Sequence, residues 1–222
     1  LTFQGDIYHT NINQISVFPL ISSEEVITYE AGYRTTFSKA VSLDITGFYN
    51  DYRDLRIPRF GDLEFKSDSI ILPFKFTNDS QGKTYGVEAA AVWQMLDWWR
   101  WDVNYSWLHT ELATNFGLPR TGVDPEHRVS VRGALSPRDD IDLDFWLRYV
   151  DSNFSIFTSG DSVIKPYITL DLRMAWRPTK NLELSLVGQN LLAQKHLEYI
   201  QELNTLPTAK DRGVYGKISW GF

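Results

Sequence analysis

The chain has 222 residues, of which 43% are hydrophobic, 14% aromatic and 23% charged, with a formal net charge of -6. That length suits one large all-β domain or two small ones, and a negative chain with no dense run of Lys and Arg excludes a nucleic-acid partner, because phosphate recognition needs a basic patch. The absence of cysteine excludes disulfide and thiolate-metal chemistry, and no apolar run approaches the roughly 18 residues of a membrane-spanning helix, so any bilayer crossing is made by strands.

Ten strands are predicted, the first over residues 2–8. The chain opens at Leu1 with no initiator Met and no leader-like segment, and is read as a piece of a longer protein. In the second strand (25–37), Ile27, Tyr29, Ala31 and Tyr33 alternate with Glu30 and Arg34. Successive side chains of a strand point to opposite faces, so one face is apolar and the other charged. The third (41–53) and fourth (82–95) place Asp44 and Glu88 on the charged face. The fifth (99–112) sets Trp99, Trp101, Val103, Tyr105 and Trp107 against Arg100, Asp102, Asn104 and Ser106. After the sixth (126–136, with Arg128 and Arg132), the seventh (140–151) alternates Ile141, Leu143, Phe145, Leu147 and Tyr149 with Asp142, Asp144 and Arg148. The eighth (166–177) alternates Ile168, Leu170, Leu172, Met174 and Trp176 with Asp171 and Arg173. The ninth covers 182–190, and the tenth (211–222) ends with Val214, Gly216, Ile218, Trp220 and Phe222 on alternate positions.

Most of these segments run about nine residues or more, the length a tilted strand needs to cross a bilayer; soluble strands average roughly five or six. Short connections at Ser38–Lys39, Asp97, 137–139 and 178–181 alternate with long ones at 9–24, 54–81, 113–125, 152–165 and 191–210. All tight turns therefore fall at one end of the sheet and all long loops at the other, the asymmetry of an outer-membrane barrel. Trp93, Trp99, Trp101, Trp176 and Trp220 are expected near the short-turn side, and Tyr149 and Tyr167 near the loop side, as two girdles on the apolar face. The expected fold is an all-β antiparallel transmembrane barrel of about ten strands, one domain over 1–222. A soluble sandwich with the same periodicity is the rival architecture.

The segments Leu182–Leu192 (LELSLVGQNLL) and Arg212–Phe222 (RGVYGKISWGF), with Tyr29–Arg34 (YEAGYR), Leu43–Asn50 (LDITGFYN) and Thr84–Glu88 (TYGVE), resemble in order and spacing the C-terminal part of TonB-dependent outer-membrane receptors. The likeness extends over 24–222. It implies that the chain belongs to a larger, 22-stranded barrel whose plug domain, with the TonB-contacting box, is absent from this stretch. It further implies an integral protein of the cell outer membrane whose partners are outer-membrane lipid, the plug of the parent chain, the TonB complex and a small ligand, most often a ferric siderophore in that family. The alternative is a self-contained small barrel with a structural or adhesive role.

Thirteen charges are expected to line the lumen: Glu30, Arg34, Asp44, Glu88, Arg100, Asp102, Arg128, Arg132, Asp142, Asp144, Arg148, Asp171 and Arg173. They either contact the plug and the cargo or pair across strands and merely solvate the wall. Arg59, Phe60, Phe154, Phe157 and Tyr199 are the ligand-contact candidates in the outer loops. No cofactor, metal or catalytic residue is expected. His9, His109, His127 and His196 lack a metal-ligand spacing, although His109 and His127 flank one loop. Asp124-Pro125-Glu126-His127 reads as a strand-entry turn, and no loop serine stands beside a His as a nucleophile requires.

Overall fold

A computed structural model describes residues 22–66, 70–71, 74–113, 124–154, 163–199 and 208–221. Nine strands form one antiparallel sheet: β1 (Glu25–Ser38), β2 (Val41–Phe60), β3 (Phe74–Leu96), β4 (Trp99–Ala113), β5 (His127–Arg138), β6 (Ile141–Val150), β7 (Tyr167–Thr179), β8 (Leu182–Gln189) and β9 (Gly213–Trp220). Each strand pairs with its neighbour in the chain, so the sheet is an up-and-down meander with β1 and β9 at its two edges. These nine correspond to nine of the ten predicted strands; the expected strand over 2–8 lies outside the described residues, as does Phe222.

Two-residue turns join β1 to β2, β3 to β4, β5 to β6 and β7 to β8, at Lys39-Ala40, Asp97-Trp98, Asp139-Asp140 and Lys180-Asn181. They all lie at one end of the meander. The opposite end carries the long connections, and three of these contain a short hairpin of their own: Glu64–Phe65 with Ile70–Ile71, Asn153–Phe154 with Val163–Ile164, and Lys195–Tyr199 with Thr208–Asp211.

The structure corrects the segment between β2 and β3. Most of the loop expected over 54–81 is strand, because β2 and β3 continue pairing through Leu55↔Ser80 and Ile57↔Thr77 to Phe60↔Phe74. The sequence hides this. Register shifts around Tyr52, Leu55 and Ile57 break the period of two, and Asp54 adopts a left-handed φ of 52°, the backbone kink of a bulge. Asn78 holds the kink by donating from Nδ2 to the Asp54 carbonyl at 2.8 Å.

The described residues form almost no core. Ile164 and Ala175 are the buried apolar residues among those described, while Ile27, Tyr105, Leu147, Leu172, Leu186 and Ile218 each expose more than a third of their surface. Paired residues share a face, so the line Tyr29↔Tyr49↔Tyr85↔His109 and the line Trp93↔Trp101↔Gly133↔Phe145↔Leu172 both belong to the apolar side. A sandwich would cover that side with a second sheet; among the described residues nothing covers it.

Candidate functional site

The candidate functional surface is the other face of the sheet. Strand register sets Thr46, Glu88, Ser106, Arg128, Val150 and Tyr167 on one line across β2 to β7. The next lines toward the short turns carry Asp44, Asn104, Ser130, Arg148 and Thr169, then Asp102, Arg132, Trp146 and Asp171, then Arg100, Asp144 and Arg173. Glu30 and Arg34 join this face through their partners Phe48 and Asp44, and Asp142 through Ala175. All thirteen charges expected together thus share one side.

Most of them neutralise one another. Asp144 accepts from Arg173 Nη1 at 2.9 Å and lies 3.5 Å from Arg132 Nη2. Arg173 also reaches Glu183 at 3.2 Å, Glu183 takes Arg177 Nε at 3.0 Å, and Arg177 pairs with Asp142. The result is a chain of alternating sign across four strands, β5 to β8, near the short turns. Arg148 pairs with Asp171 at 2.6 Å, Arg100 with Asp102 at 2.5 Å, and Arg34 with Asp44. Three charges, Glu30, Glu88 and Arg128, have no ion-pair partner among the described residues. Arg177, Glu183 and Trp146 were missing from the sequence reading. Each has the parity of the charged positions on its strand, which was the available signal.

Two of the hollows on this side are lined by described residues. The larger, about 510 Å³, is lined by Glu88, Asn104, Ser106, Arg128, Trp146 and Arg148 among others. Trp146 is 42% exposed, donates from Nε1 to Ser130 Oγ at 2.6 Å and carries the Arg148 guanidinium 4.3 Å over its ring. An indole on a charged wall with a cation stacked on it is a ready contact surface. The second hollow, about 300 Å³, lies at the loop end between Asp124, Arg128, Asp151, Asn153, Tyr167 and Glu198. Tyr167 was expected in the apolar girdle. It faces the opposite way because Ile168, its neighbour, takes the apolar position opposite Tyr149, and its ring packs on His196 at 4.4 Å.

On the apolar face the aromatic rings form two belts. At the loop end Tyr29, Tyr49 and Tyr85 follow one another at 6.3 and 6.4 Å between centroids, and Tyr85 meets Trp107 at 5.9 Å. At the short-turn end Trp98, Trp99, Trp101 and Phe145 are spaced at 5.9, 5.4 and 5.2 Å. Tyr85 and Trp93 mark the two belts on β3, eight positions apart. At about 3.3 Å per residue and a tilt of about 40°, that separation is roughly 20 Å along the barrel axis, close to the ~25 Å apolar band of outer-membrane barrels.

His109 and His127 both face this side, but each takes its own partner: His109 Nδ1 lies 2.9 Å from Glu126 Oε1, and His127 Nδ1 2.9 Å from the Tyr105 hydroxyl. Asp124 to His127 enters β5 as a turn, with Thr110 Oγ1 donating to Asp124 at 3.4 Å and Leu108 N to the Glu126 carbonyl at 2.9 Å. Of the ligand-contact candidates, Arg59 and Phe60 fall at the far end of β2 rather than in a loop, and Phe154 and Tyr199 fall in the short hairpins. All four are at the long-connection end. Phe157 lies outside the described residues.

Residues 2–191 match the family described as TonB dependent receptor-like, beta-barrel. The pesticin receptor of Yersinia pestis is 25% identical over 191 residues, covering 80% of this chain and 26% of the receptor. The chain therefore spans about a quarter of the length of the curated relatives it matches. Among solved structures, the ferric-catecholate import receptor Fiu from K12 E. coli superposes with a TM-score of 0.69 at 17% identity, over 90% of this chain and 28% of that one. The ferric yersiniabactin uptake receptor FyuA from Yersinia pestis gives 0.65 at 21% identity, over 88% and 29%. These two likenesses are of fold.

Proposed function

Because the chain belongs to the family of TonB-dependent receptor β-barrels, we propose that it forms the C-terminal sector of the wall of an outer-membrane receptor that takes up a scarce nutrient, with a ferric siderophore as the leading cargo. The observation that carries this reading is the two-faced sheet: an uncovered apolar side with an aromatic belt at each end, and a charged side with opposite signs paired across strands. The apolar side meets outer-membrane lipid, where belts of this kind sit at the headgroups. The charged side lines the lumen and meets the plug of the parent chain, whose rearrangement the TonB complex drives.

The ion pairs support a wall that is chiefly solvated and held in register by its own charges, leaving Glu30, Glu88 and Arg128, which lack an ion-pair partner among the described residues, and the exposed Trp146–Arg148 stack to meet plug or cargo. Cargo is captured at the loop end, where Arg59, Phe60, Phe154, Phe157 and Tyr199 are the contact candidates. Ferric chelates as cargo draw support from the named roles of Fiu and FyuA. Among the described residues β1 and β9 are not paired with each other, which suits a wall sector continued by further strands, since a bare sheet edge is not tolerated in hydrocarbon.

The test is growth of a strain lacking the full-length parent gene on iron-limited medium, supplemented in turn with ferric hydroxamate, catecholate and mixed chelates. One chelate is expected to support growth only when the gene and a working TonB are both present. Equal growth with and without the gene on every chelate would defeat the cargo assignment. Recovery of the protein from the soluble fraction would defeat the membrane assignment.

A further inference from the structure

Asp171 is shared between the wall and an outer hairpin. Its Oδ2 accepts from Arg148 Nη2 on β6 at 2.6 Å, and its Oδ1 accepts the backbone N–H of Asn190, one residue beyond β8, at 2.8 Å. Asn190 is fully buried with φ at 53°, a left-handed conformation that Asn adopts more readily than most residues. From that position its Nδ2 donates to the Lys210 carbonyl at 3.1 Å. Lys210 belongs to the hairpin of Lys195–Tyr199 and Thr208–Asp211, which brings Glu198 to the smaller hollow and packs His196 against Tyr167. In the other direction, Arg148 stacks on Trp146, and both line the larger hollow. A continuous line of contacts therefore runs from the charged wall to the outer hairpin.

Each link has little to replace it. The Asp171 and Arg148 side chains are 17% and 25% exposed, so water screens their attraction only in part. The Nε of Arg148 is buried with no partner, leaving an unmet donor on a group that already faces the hollow. A carboxylate arriving beside Trp146 would compete with Asp171 for this guanidinium, aided by Arg128, which has no acidic partner among the described residues. Asp171 would then lose the contact that fixes its rotamer and be free to swing its carboxylate toward water, away from the Asn190 N–H. Among the described residues that N–H has no other acceptor, and an unsatisfied buried amide is unfavourable, so the local backbone at Asn190 would readjust.

The geometry points to a relay. A carboxylate-bearing segment seated in the larger hollow draws Arg148 away from Asp171, loosens the fastening at Asn190 and frees the outer hairpin to change its posture. Coupling of this kind needs an element with two arrangements that both ends bias; the hairpin is that element and Arg148 is the switch. The inference rests on the receptor reading only in taking the charged side as a lumen that another polypeptide segment fills.

The chain itself has no cysteine, so once any cysteine elsewhere in the full-length receptor is replaced by serine, a single engineered pair, L197C with K83C, can be spin-labelled in liposomes and its distance distribution measured without any cargo. The unaltered Arg148–Asp171 pair is expected to give one narrow distance. R148Q touches no atom of the hairpin, yet is expected to raise the population at other distances by about fivefold or more, the lower end of ordinary couplings, and R148K to restore most of the narrow peak. D171N keeps an acceptor for Asn190 while removing the charge that holds Arg148. It is expected to act like R148Q, and decides the question should R148Q fail to assemble. Unchanged distances in R148Q or D171N, with broadening in N190G, would show the hairpin to be fixed locally and overturn the relay. Unchanged distances in N190G as well would overturn the fastening itself. None of these readings involves a chelate, so a receptor that binds no ferric chelate would count against the cargo assignment alone.

Discussion

Gly133 shows how much one missing methyl decides on the apolar side. It stands between Trp101 and Phe145 in the sheet, and a Cβ there would overlap the Phe145 ring. Without it, Phe145 lies across the strand and meets Trp101 edge to face at 5.2 Å, a contact worth about 0.5–1.5 kcal/mol beyond burial. G133A is expected to cost about 1–3 kcal/mol, the range for overpacking, seen as a lower denaturant midpoint when the full receptor unfolds from lipid vesicles. On the opposite side Asp144 serves two guanidiniums, Arg132 and Arg173. D144N leaves both without their carboxylate and is expected to cost about 1.5–3 kcal/mol, the worth of hydrogen bonds to charged groups, in the same unfolding measurement. Which face each of these residues occupies was legible, because side-chain parity is a local property of a strand. Their partners were not. Arg173 could have met Asp142 as readily as Asp144 until the register Arg173↔Asp144 fixed the choice, and Asn190 owes its role to a left-handed backbone that no period of two foretells.

At the level of strands, the sequence revealed position wherever alternation was unbroken. β1 and β4 to β8 begin and end within a few residues of expectation because Ile, Leu, Tyr and Trp alternate with charges along their whole length. β2 and β3 escaped at their outer ends. The bulges between Tyr52 and Ile57 swap the side on which residues point, so the pattern cancels although the hydrogen bonding continues. Tyr167 went to the wrong belt for a related reason: an aromatic at a strand start was read by its type rather than by its parity with Ile168. The belts themselves give an element-scale prediction. Val131 lies in the middle of the apolar band, on the line Val103↔Val131↔Leu147↔Leu170, whereas His127 stands at its loop-side margin. V131R should destabilise the receptor by about 2–4 kcal/mol and H127R by about 0–1 kcal/mol, following the depth dependence of a cation facing lipid. Equal costs at the two sites, measured by unfolding from vesicles, would mean that hydrocarbon does not meet this face.

For the molecule as a whole, the nine-stranded meander of the described residues sets how the chain behaves in solvent. Among the described residues its apolar side is uncovered and its two marginal strands each have one neighbour, so the isolated chain should precipitate from detergent-free buffer and become monodisperse only when a detergent coats it. A monodisperse monomer in plain buffer, judged by light scattering, would restore the soluble sandwich. The prolonged β2–β3 arm has a separate consequence. From Tyr49 in the belt to Phe60 at its tip is eleven positions, roughly 36 Å of strand and, at a slant of about 40°, roughly 28 Å of height. The headgroup layer is only about 5–8 Å deep on each side. In the proposed membrane orientation the arm would therefore stand well clear of the headgroups, as a mast that a large particle approaching from the loop side would meet ahead of the rest of the described sheet.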